Sequence, residues 1–527
     1  MFLTISLDKK EKNSKILISK FYYFMDVKSR LSYYQKIYPH KEAVIFKDEK
    51  LDFSSLAEFA FRLSNYLMEN KVEKVAIYLP NNLENLISFL GVFSSQGTAI
   101  PLDFMLTEEE LIYLINHAEA EILITQVKKG IDLKNIKKSC PNLKEIILCK
   151  GKIDGFLFWQ DILKEFSSQD PSSFYEPAQT ACILYTSGST GHPKGVELTF
   201  NHLNVPLKTI DYFLKLSSSD ILLCGGVPFS HLGGLDYILV MVARASTLIL
   251  MERFRPYQFL LNAQKYKVTA FWVVPSMYTA ILSLKEYEKF NLPHLKYAVV
   301  FGAPSSPHLL KKFHKIAPNA FLLNGWGMTE TSAPNCVLPL GIDRIESVGK
   351  FFNMEAKIVD EKGKSLGPNE KGELWVRGEG IMKGYFKEPF LTQEILTCDG
   401  WLKTGDIAYY DSQGLFYIVG RKKDMIKVGG EVVFSSEAEE KILLHPKVKE
   451  AAVIGVPDKL RGEVPKAFVV LKENEKLSEA ELKEFLKKHL AHFKIPHYIE
   501  FRKKLPKTRT GKIDKKRLKD EENSSYT

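Results

Sequence analysis

The sequence predicts an α/β fold: a large N-terminal domain of parallel α/β sheets with a β-rich subdomain at its end, followed by a small α+β C-terminal domain. The chain has 527 residues, more than a single hydrophobic core usually supports, which indicates at least two domains. Short apolar runs alternate with helical patterns through most of the chain. After Gly420 the sequence becomes rich in charge and mixes both patterns.

The alternation is clear in the first part of the chain. The apolar run Lys74–Leu79 precedes a helical pattern from Asn81 to Phe93, and the run Thr98–Leu102 precedes one from Thr107 to His117. Strands that alternate with helices in this way pair in parallel. We therefore expect a parallel sheet covered by helices.

Glycine, proline and polar residues gather where the predicted strands end. Four apolar runs lead into such residues: Ala181–Tyr185 into a glycine-rich segment, Phe271–Val274 into Pro275 and Ser276, Tyr297–Val300 into Phe301–Pro304, and Phe321–Leu323 into Asn324–Gly327. Open parallel sheets bind ligands outside the carboxyl ends of their strands. We expect these four segments to meet in one crevice.

We place the N-terminal domain at residues 25–420 and the C-terminal domain at residues 421–527. From Glu355 the strands become shorter and are separated by turns, which predicts a β-rich subdomain over residues 355–420. In the C-terminal domain, helices are expected at Ser436–Leu444 and Ser478–Leu490. Residues 1–24 are treated as an extension of uncertain status.

Composition indicates an ordinary globular protein, with 45% hydrophobic and 12% aromatic residues. The cysteines show no CxxC spacing, which argues against a zinc site and against a disulfide framework. A reducing cytoplasm is the expected location. The six cysteines are Cys140, Cys149, Cys182, Cys224, Cys336 and Cys398.

The first 24 residues do not resemble a secretory signal, because the run Asp8–Lys12 is charged and Lys15 and Lys20 interrupt the apolar patches. An amphipathic surface anchor that uses Phe21–Phe24 is the alternative, and it would give a peripheral membrane contact. No apolar run in the sequence is long enough to span a bilayer.

The net charge of +10 is concentrated near the end of the chain, between Lys503 and Lys519. No nucleic-acid recognition module accompanies these residues, so nucleic acid is not an expected partner. A basic surface also suits small polyanionic substrates.

The segment Tyr185–Gly195, with the sequence YTSGSTGHPKG, has the properties of a phosphate-binding loop. Glycines let the backbone approach an anion, hydroxyl groups donate hydrogen bonds, and one lysine supplies charge. These residues are Thr186, Ser187, Gly188, Ser189, Thr190, Gly191 and Lys194. The lysine is followed by Gly195 rather than by Ser or Thr, so the segment is not a Walker loop.

This segment resembles the signature loop of the adenylate-forming superfamily, which includes acyl-CoA synthetases, aryl-CoA ligases, luciferases and peptide-synthetase adenylation domains. Further matching motifs follow in the same order and extend the resemblance over nearly the whole chain. The resemblance implies that the loop cradles the β- and γ-phosphates of ATP. It also implies that the small C-terminal domain is mobile.

The motif Asn324–Thr331 resembles the second ATP motif of that superfamily. By position, the resemblance implies that Glu330 binds Mg²⁺, that Thr329 contacts phosphate and that Trp326 stacks on adenine, where the family usually has Tyr. The remaining nucleotide-site residues implied in the same way are Gly302, Ala303, Pro304, Asn324, Gly325, Gly327 and Met328.

Matches further along the chain complete the implied site. Asp406, in GWLKTGD, corresponds to the aspartate that accepts the ribose hydroxyls, and Arg421 to an arginine that contacts ribose or phosphate. Lys512 corresponds to the lysine that reaches between the carboxylate and the α-phosphate. Lys423 lies at the family's hinge. The resemblance implies that the C-terminal domain swings about it after adenylation, which withdraws Lys512 and presents Gly429 and Gly430 to the pantetheine tunnel.

His231, in PFSHLGG, corresponds to the family histidine near the acyl carboxylate. The implied catalytic residues are therefore Lys512, Glu330, Thr186, Lys194 and His231.

The resemblance implies an ATP-dependent acyl-CoA synthetase that uses ATP, Mg²⁺ and coenzyme A. The predicted acyl pocket is apolar and lacks a charged anchor, which favours an alkyl or aryl acid over an amino or dicarboxylic acid. A fatty acid is the expected substrate class. Its candidate residues are His231, Gly234, Leu235, Val274, Met277, Tyr278, Gly325 and Met328. An aryl acid as substrate, an acyl carrier protein as acceptor and a luciferase-like oxygenase activity are the alternatives.

Overall fold

The computed structural model of the protein describes residues 26–186, 193–302, 307–429, 431–458, 460–508 and 512–525. Its strands, in chain order, are β1 Glu42–Phe46, β2 Glu49–Asp52, β3 Lys74–Tyr78, β4 Thr98–Pro101, β5 Ile122–Thr125, β6 Glu145–Leu148, β7 Leu157–Phe158, β8 Thr180–Thr186, β9 Lys194–Thr199, β10 Ile221–Cys224, β11 Thr247–Leu250, β12 Ala270–Val273, β13 Tyr297–Val300, β14 Phe321–Trp326, β15 Cys336–Val337, β16 Lys350–Phe351, β17 Met354–Val359, β18 Gly372–Gly378, β19 Gly384–Tyr385, β20 Leu402–Tyr410, β21 Phe416–Arg421, β22 Met425–Val428, β23 Glu431–Phe434, β24 Val448–Asp458, β25 Gly462–Leu471 and β26 Tyr498–Phe501.

The helices, in chain order, are α1 Val27–Ile37, α2 Phe53–Glu69, α3 Leu83–Ser94, α4 Glu108–Ala118, α5 Leu133–Ser139, α6 Trp159–Glu165, α7 Phe200–Leu214, α8 Leu232–Arg244, α9 Pro256–Lys265, α10 Pro275–Leu282, α11 Pro307–Phe313, α12 Pro389–Ile395, α13 Ser435–Leu443, α14 Glu479–Lys487 and α15 Lys515–Ser525. Short 3₁₀ turns occur at Tyr287–Lys289, Thr329–Thr331, Lys422–Asp424 and His492–Lys494. Within the described ranges, no helix combines the length and the apolar character that crossing a bilayer requires.

Two large sheets carry most of the N-terminal half. One has nine strands in the order β16-β15-β14-β13-β12-β10-β11-β1-β2, and the other has eight in the order β19-β9-β8-β4-β3-β5-β6-β7. In both sheets the central strands are parallel, while the edge pairs β1–β2, β14–β15, β15–β16, β8–β9 and β9–β19 are antiparallel. The predicted α/β fold class is confirmed.

Local sequence explains where the first helices begin. The side chain of Asn82 accepts a hydrogen bond from the backbone of Asn85, which caps α3. Thr107 and Glu110 form a reciprocal capping box at the start of α4. These caps place both helices within two residues of the positions that the apolar patterns predict.

One hydrophobic core joins the two large sheets. Buried residues of β3 and β11 belong to the same cluster as the rings of Phe89, Phe93, Phe200 and Phe229. Phe93 packs edge-to-face on Phe200, with ring centroids 5.8 Å apart. Burial of each such ring stabilises the fold by about 1.5–3 kcal/mol. The core therefore holds the carboxyl edges of both sheets in a fixed relation.

Two smaller antiparallel sheets follow. The first has the order β17-β18-β20-β21, and the second has the order β23-β22-β25-β24, with β26 added in parallel to β25. The second sheet has its own buried cluster with α13 and α14. The ion pair between Lys422 and Glu373, at 2.9 Å, lies where the chain passes from one sheet to the other.

Two boundaries differ from the sequence prediction. The strand predicted at Phe321–Leu323 continues to Trp326, because the following residues pair with β15 across Gly325 and Trp326. The helix predicted at Ser478–Leu490 ends at Lys487. The first difference matters for the site, because it places Asn324, Gly325 and Trp326 in a strand instead of a loop.

Candidate active site

The carboxyl ends of several parallel strands carry the predicted site residues. Thr186 is the last residue of β8 and pairs directly with Lys194, the first residue of β9. Gly302 lies just after β13, with φ +86°, and β14 ends at Trp326. Eight predicted site residues lie outside the described residues: Ser187, Gly188, Ser189, Thr190, Gly191, Ala303, Pro304 and Gly430.

Three side chains form a connected cluster beside the end of β8. Nζ of Lys194 lies 4.9 Å from the ring centroid of Tyr385, within the range of a cation–π interaction. The hydroxyl of Tyr385 donates a hydrogen bond to Oε1 of Glu330 at 3.0 Å. One aromatic ring thus connects the cation of the glycine-rich segment with the buried carboxylate.

Tyr385 was not identified from the sequence. It belongs to β19, a strand of two residues that pairs with β9 opposite Val196. Burial raises the pKa of Tyr385, and the neighbouring Glu330 raises this pKa further, so the hydroxyl stays protonated and donates. A strand of two residues is too short to show a repeating pattern of apolar residues in the sequence. Only the pairing of β19 with β9 in the folded structure could have revealed this contact.

Glu330 has the properties of a Mg²⁺ ligand. It lies in the 3₁₀ turn Thr329–Thr331 and is 8% exposed, and among the described residues Tyr385 alone donates a side-chain hydrogen bond to its carboxylate. No group of three potential metal ligands occurs in the described part of the chain. Mg²⁺ is commonly bound by one or two carboxylates together with substrate phosphates, and a single buried carboxylate fits that arrangement.

Asp406 is fixed from two sides. The indole Nε1 of Trp326 donates to Oδ2 at 2.8 Å, and Nε of Arg421 lies 2.6 Å from Oδ1. Strands β20 and β21 place Asp406 directly opposite Arg421. Burial raises the pKa of Asp406, and the charge of Arg421 opposes that rise. The carboxylate is thus oriented by two donors before any ligand binds.

The contact from Trp326 was not foreseen. Its ring is 7% exposed and packs edge-on against Phe351, with centroids 5.4 Å apart. The stacking of Trp326 on adenine stays a prediction. The structure adds that its indole N–H orients Asp406, which a tyrosine would have to do through a hydroxyl.

The C-terminal segment brings Lys512 to the same place. A Cβ built on Gly302 would lie 3.5 Å from Nζ of Lys512. Burial of this ammonium end lowers the pKa of Lys512; the charge of Arg421 lowers it further, and Asp406 opposes the change. Lys512 therefore shares one electrostatic environment with Asp406 and Arg421, which lie far from it in the sequence.

His231 precedes the first turn of α8. Its Nε2 lies 3.8 Å from Oδ2 of Asp103, beyond hydrogen-bond distance, and has no hydrogen-bond partner among the residues that the structure describes. An imidazole nitrogen that is shielded from solvent and unpaired is available to a ligand. Its role at the acyl carboxylate stays a prediction.

Several predicted acyl-pocket residues have no free surface. Leu235 and Tyr278 are fully buried, a Cβ on Gly234 would lie 2.0 Å from the carbonyl oxygen of Pro228, and the space above Gly325 is filled by the ring of Phe301. By contrast, Val274, Met277 and Met328 are partly exposed. The space for an acyl group is therefore smaller than the sequence suggested.

Other predicted nucleotide-site residues have structural contacts. Asn324 is buried, and its side chain binds the main chain of Ile345 and Gly325. A Cβ on Gly327 would lie 2.5 Å from Cβ of Ala333, so only glycine fits there. Met328 binds Thr331 through its main chain, and Lys423 lies in the 3₁₀ turn between β21 and β22.

Known proteins resemble the chain over nearly its full length. The family model of AMP-binding enzymes matches residues 33–386, and that of the AMP-binding enzyme C-terminal domain matches residues 437–512. The long-chain-fatty-acid–CoA ligase of Bacillus subtilis (strain 168) is 33% identical, with 93% of each chain covered. Luciferin 4-monooxygenase of Photinus pyralis is 31% identical over 89% of this chain and 88% of its own.

A solved structure shows that the similarity extends to the fold. The anthranilate CoA ligase AuaEII, in complex with anthranoyl-AMP, matches with a TM-score of 0.87 at 26% identity, covering 95% of this chain and 97% of that one.

Proposed function

Because the chain belongs to the AMP-binding enzyme family and is an acid–thiol ligase, we propose that it is an ATP-dependent acyl-CoA synthetase for an apolar carboxylic acid, with a fatty acid as the favoured class. A carboxylate oxygen of the acid attacks the α-phosphorus of ATP, and pyrophosphate leaves with the electrons of the broken P–O bond. The thiol sulfur of coenzyme A then attacks the acyl carbon, AMP leaves, and the thiol proton passes to solvent.

The observation that carries this proposal is the position of Lys512 beside Gly302, with Asp406 and Arg421 in its electrostatic environment. Two anions must approach each other in the first step, and a positive group at their meeting point offsets the repulsion. A lysine on a flexible stem provides such a charge.

The remaining residues have separate roles in the proposal. Asp406, oriented by Trp326 and Arg421, accepts the ribose hydroxyls. Lys194 and Thr186 bind the terminal phosphates, and Glu330 holds Mg²⁺. When bound, this metal offsets the charge of the phosphates.

The acceptor and the domain movement also belong to the proposal. We favour coenzyme A, with rotation about Lys423 presenting Gly430 to the thiol. An acyl carrier protein is the second candidate, because the basic residues between Lys503 and Lys519 would attract an acidic protein. All six cysteines are free thiols, which supports the prediction of a reducing, cytoplasmic environment.

The test is ATP–pyrophosphate exchange by the full chain with a panel of alkyl and aryl acids, followed by addition of coenzyme A or carrier protein. Exchange that depends on the acid, and thioester formation with coenzyme A, are expected. Absence of both pyrophosphate and AMP with every acid contradicts the proposal. Oxygen consumption in the presence of acyl-AMP would favour an oxygenase instead.

A further inference from the structure

The main chain on both sides of Lys512 is held by hydrogen bonds within the C-terminal domain. Ile513 forms an antiparallel bridge with Lys507, and the backbone N–H of Thr508 donates to the carbonyl oxygen of Lys512 at 2.7 Å. The side chain of Asp514 accepts a hydrogen bond from the backbone of the first turn of α15 at 3.1 Å. The place of Lys512 therefore depends on what holds the start of α15.

Lys515, the first residue of α15, is attached to α13 through its ammonium. Nζ of Lys515 lies 2.7 Å from Oε1 of Glu439 and donates to Oγ of Ser435 at 2.8 Å. The side chains of Lys515 and Glu439 are only 22% and 17% exposed. An ion pair that is largely shielded from water is screened little by salt and is costly to break. These two contacts fasten the start of α15 to α13.

Glu439 is held at the same time by the sheet of the C-terminal domain. Its Oε1 accepts a hydrogen bond from the backbone N–H of Val453 in β24 at 2.7 Å. β24 lies at an edge of this sheet, so one row of its N–H groups faces away from the neighbouring strand. Burial raises the pKa of Glu439, and the charge of Lys515 opposes that rise. This one carboxylate thus joins α13, β24 and the start of α15.

The first turn of α13 contacts the strand that carries Arg421. Oγ of Ser436 donates a hydrogen bond to the carbonyl oxygen of Val419 in β21. Arg421 ends that strand, and its Nε lies 2.6 Å from Oδ1 of Asp406. A path of direct contacts therefore runs from Asp406 through β21 and α13 to Lys515.

The short separation between Lys512 and Lys515 makes this attachment effective. Three residues of extended chain span at most about 10 Å, so a fixed Lys515 leaves the backbone of Lys512 little freedom. A flexible lysine stem does not hold its own ammonium in place. Because a displacement of about 1 Å can slow a reaction by roughly 10², a lysine that meets the reacting groups needs a backbone that is held.

We infer that Lys515 and Glu439 are positioning residues for adenylation, because the ion pair between them places Lys512 where the acid meets the α-phosphate. This inference rests on the proposed acyl-adenylate function and adds two residues to it. Both act through Lys512 and not on a substrate. Both also belong to the C-terminal domain, so the pair moves with Lys512 and matters only in the half-reaction in which Lys512 acts.

Lys515→Met tests the inference, because it keeps the length of the side chain and removes the charge. Adenylation, measured as kcat for pyrophosphate exchange with the best acid of the panel, should slow by roughly tenfold to a hundredfold. Single-turnover thioester formation from supplied acyl-AMP should be nearly unchanged. Lys515→Arg keeps a charged donor for Glu439 and should retain most of the adenylation activity.

Lys494→Met is the matched control. Nζ of Lys494 lies 2.7 Å from Oε1 of Glu437 in the same helix α13, and its side chain has the same 22% exposure as that of Lys515. Lys494 belongs to the 3₁₀ turn His492–Lys494, outside the segment that carries Lys512. Its substitution should leave adenylation unchanged.

A double-mutant cycle separates positioning from a general loss of structure. In a chain that already carries Lys512→Ala, adding Lys515→Met should slow adenylation no further, because the group that the pair positions is gone. A purely structural role would instead lower both half-reactions and add to the loss from Lys512→Ala. If Lys515→Met does not fold, Glu439→Gln replaces it, since the amide oxygen can still accept from Val453, and the same selective loss is expected.

The results that overturn the inference are distinct from failure of the proposed function. Equal losses in both half-reactions, additive losses in the cycle, or a loss in Lys494→Met as large as in Lys515→Met overturn it. Unchanged adenylation in Lys515→Met, or in Glu439→Gln where that variant replaces it, does the same. Absence of exchange by the unmodified chain with every acid overturns the proposed function, on which this inference rests.

Discussion

Glu330 and Lys512 are two of the charged groups proposed to act on the nucleotide, and the structure holds them in opposite ways. Glu330 is 8% exposed, accepts a hydrogen bond from Tyr385, and is fixed through its carbonyl oxygen by the backbone N–H of Met382 at 2.9 Å. The ammonium of Lys512 lies near Gly302, Arg421 and Asp406. Within the described ranges its ammonium has no hydrogen bond or ion pair.

This difference suggests in which half-reactions each of the two groups acts. A carboxylate that is fixed by the core is preorganised and stays in place throughout the reaction. A lysine that makes only electrostatic contacts can leave without breaking a hydrogen bond, which suits a group that arrives by domain movement. We therefore expect Lys512 to act in one half-reaction only.

The strongest test of the comparison is Lys512→Ala. Loss of one positive donor should slow adenylation by roughly 10²–10³, while thioester formation from supplied acyl-AMP should be nearly unchanged. Pyrophosphate exchange and single-turnover thioester formation measure the two steps. Lys504→Ala removes an exposed lysine of the same basic stretch and is the control. An equal loss in both half-reactions contradicts the two-conformation model.

Glu330→Gln tests the carboxylate that the core holds in place. The amide oxygen can still accept from Tyr385, so the turn should keep its structure while the negative charge is lost. Adenylation should fall by on the order of 10², and added Mg²⁺ should recover part of the activity. A Mg²⁺ titration of exchange activity measures this, with Lys512→Ala as the comparison that Mg²⁺ should not rescue. An unchanged Mg²⁺ requirement would remove Glu330 from the metal site.

Trp326→Phe probes how Asp406 is oriented. The ring is kept and the donor to the buried carboxylate is lost, which should raise KM for ATP about tenfold with a smaller effect on kcat. The preference for ATP over 2′-deoxy-ATP should also shrink. Trp375→Phe is the matched control, because the buried Nε1 of Trp375 makes no hydrogen bond within the described part of the chain. Equal losses for both nucleotides would indicate a purely structural role.

The smallest expected effect is a shift in pH dependence. Burial lowers the pKa of Lys512, so its ammonium loses a proton at a lower pH than an exposed lysine does. Adenylation should therefore decline as the pH rises through that lowered value, whereas thioester formation should not. In Lys512→Arg the charge persists and this alkaline decline should disappear. The same decline in both half-reactions would show that another group titrates.

Much of the architecture could be predicted from local sequence. The helices α3 and α4 and the strands β3 and β4 were located within two residues, because apolar period and helix caps are encoded by neighbouring positions. The extension of β14 to Trp326 was missed, because it depends on pairing with β15. Pairing between two distant segments produces no repeating hydrophobic pattern in either segment, so it cannot be predicted from local sequence.

The sequence by itself determined the fold class, the family resemblance and the chemical types in the site, since residue identity and spacing carry that information. Only the tertiary structure decided that Tyr385 connects Lys194 with Glu330 and that Trp326 orients Asp406. These contacts join residues that lie far apart in the chain, and their distances depend on how the sheets and helices pack.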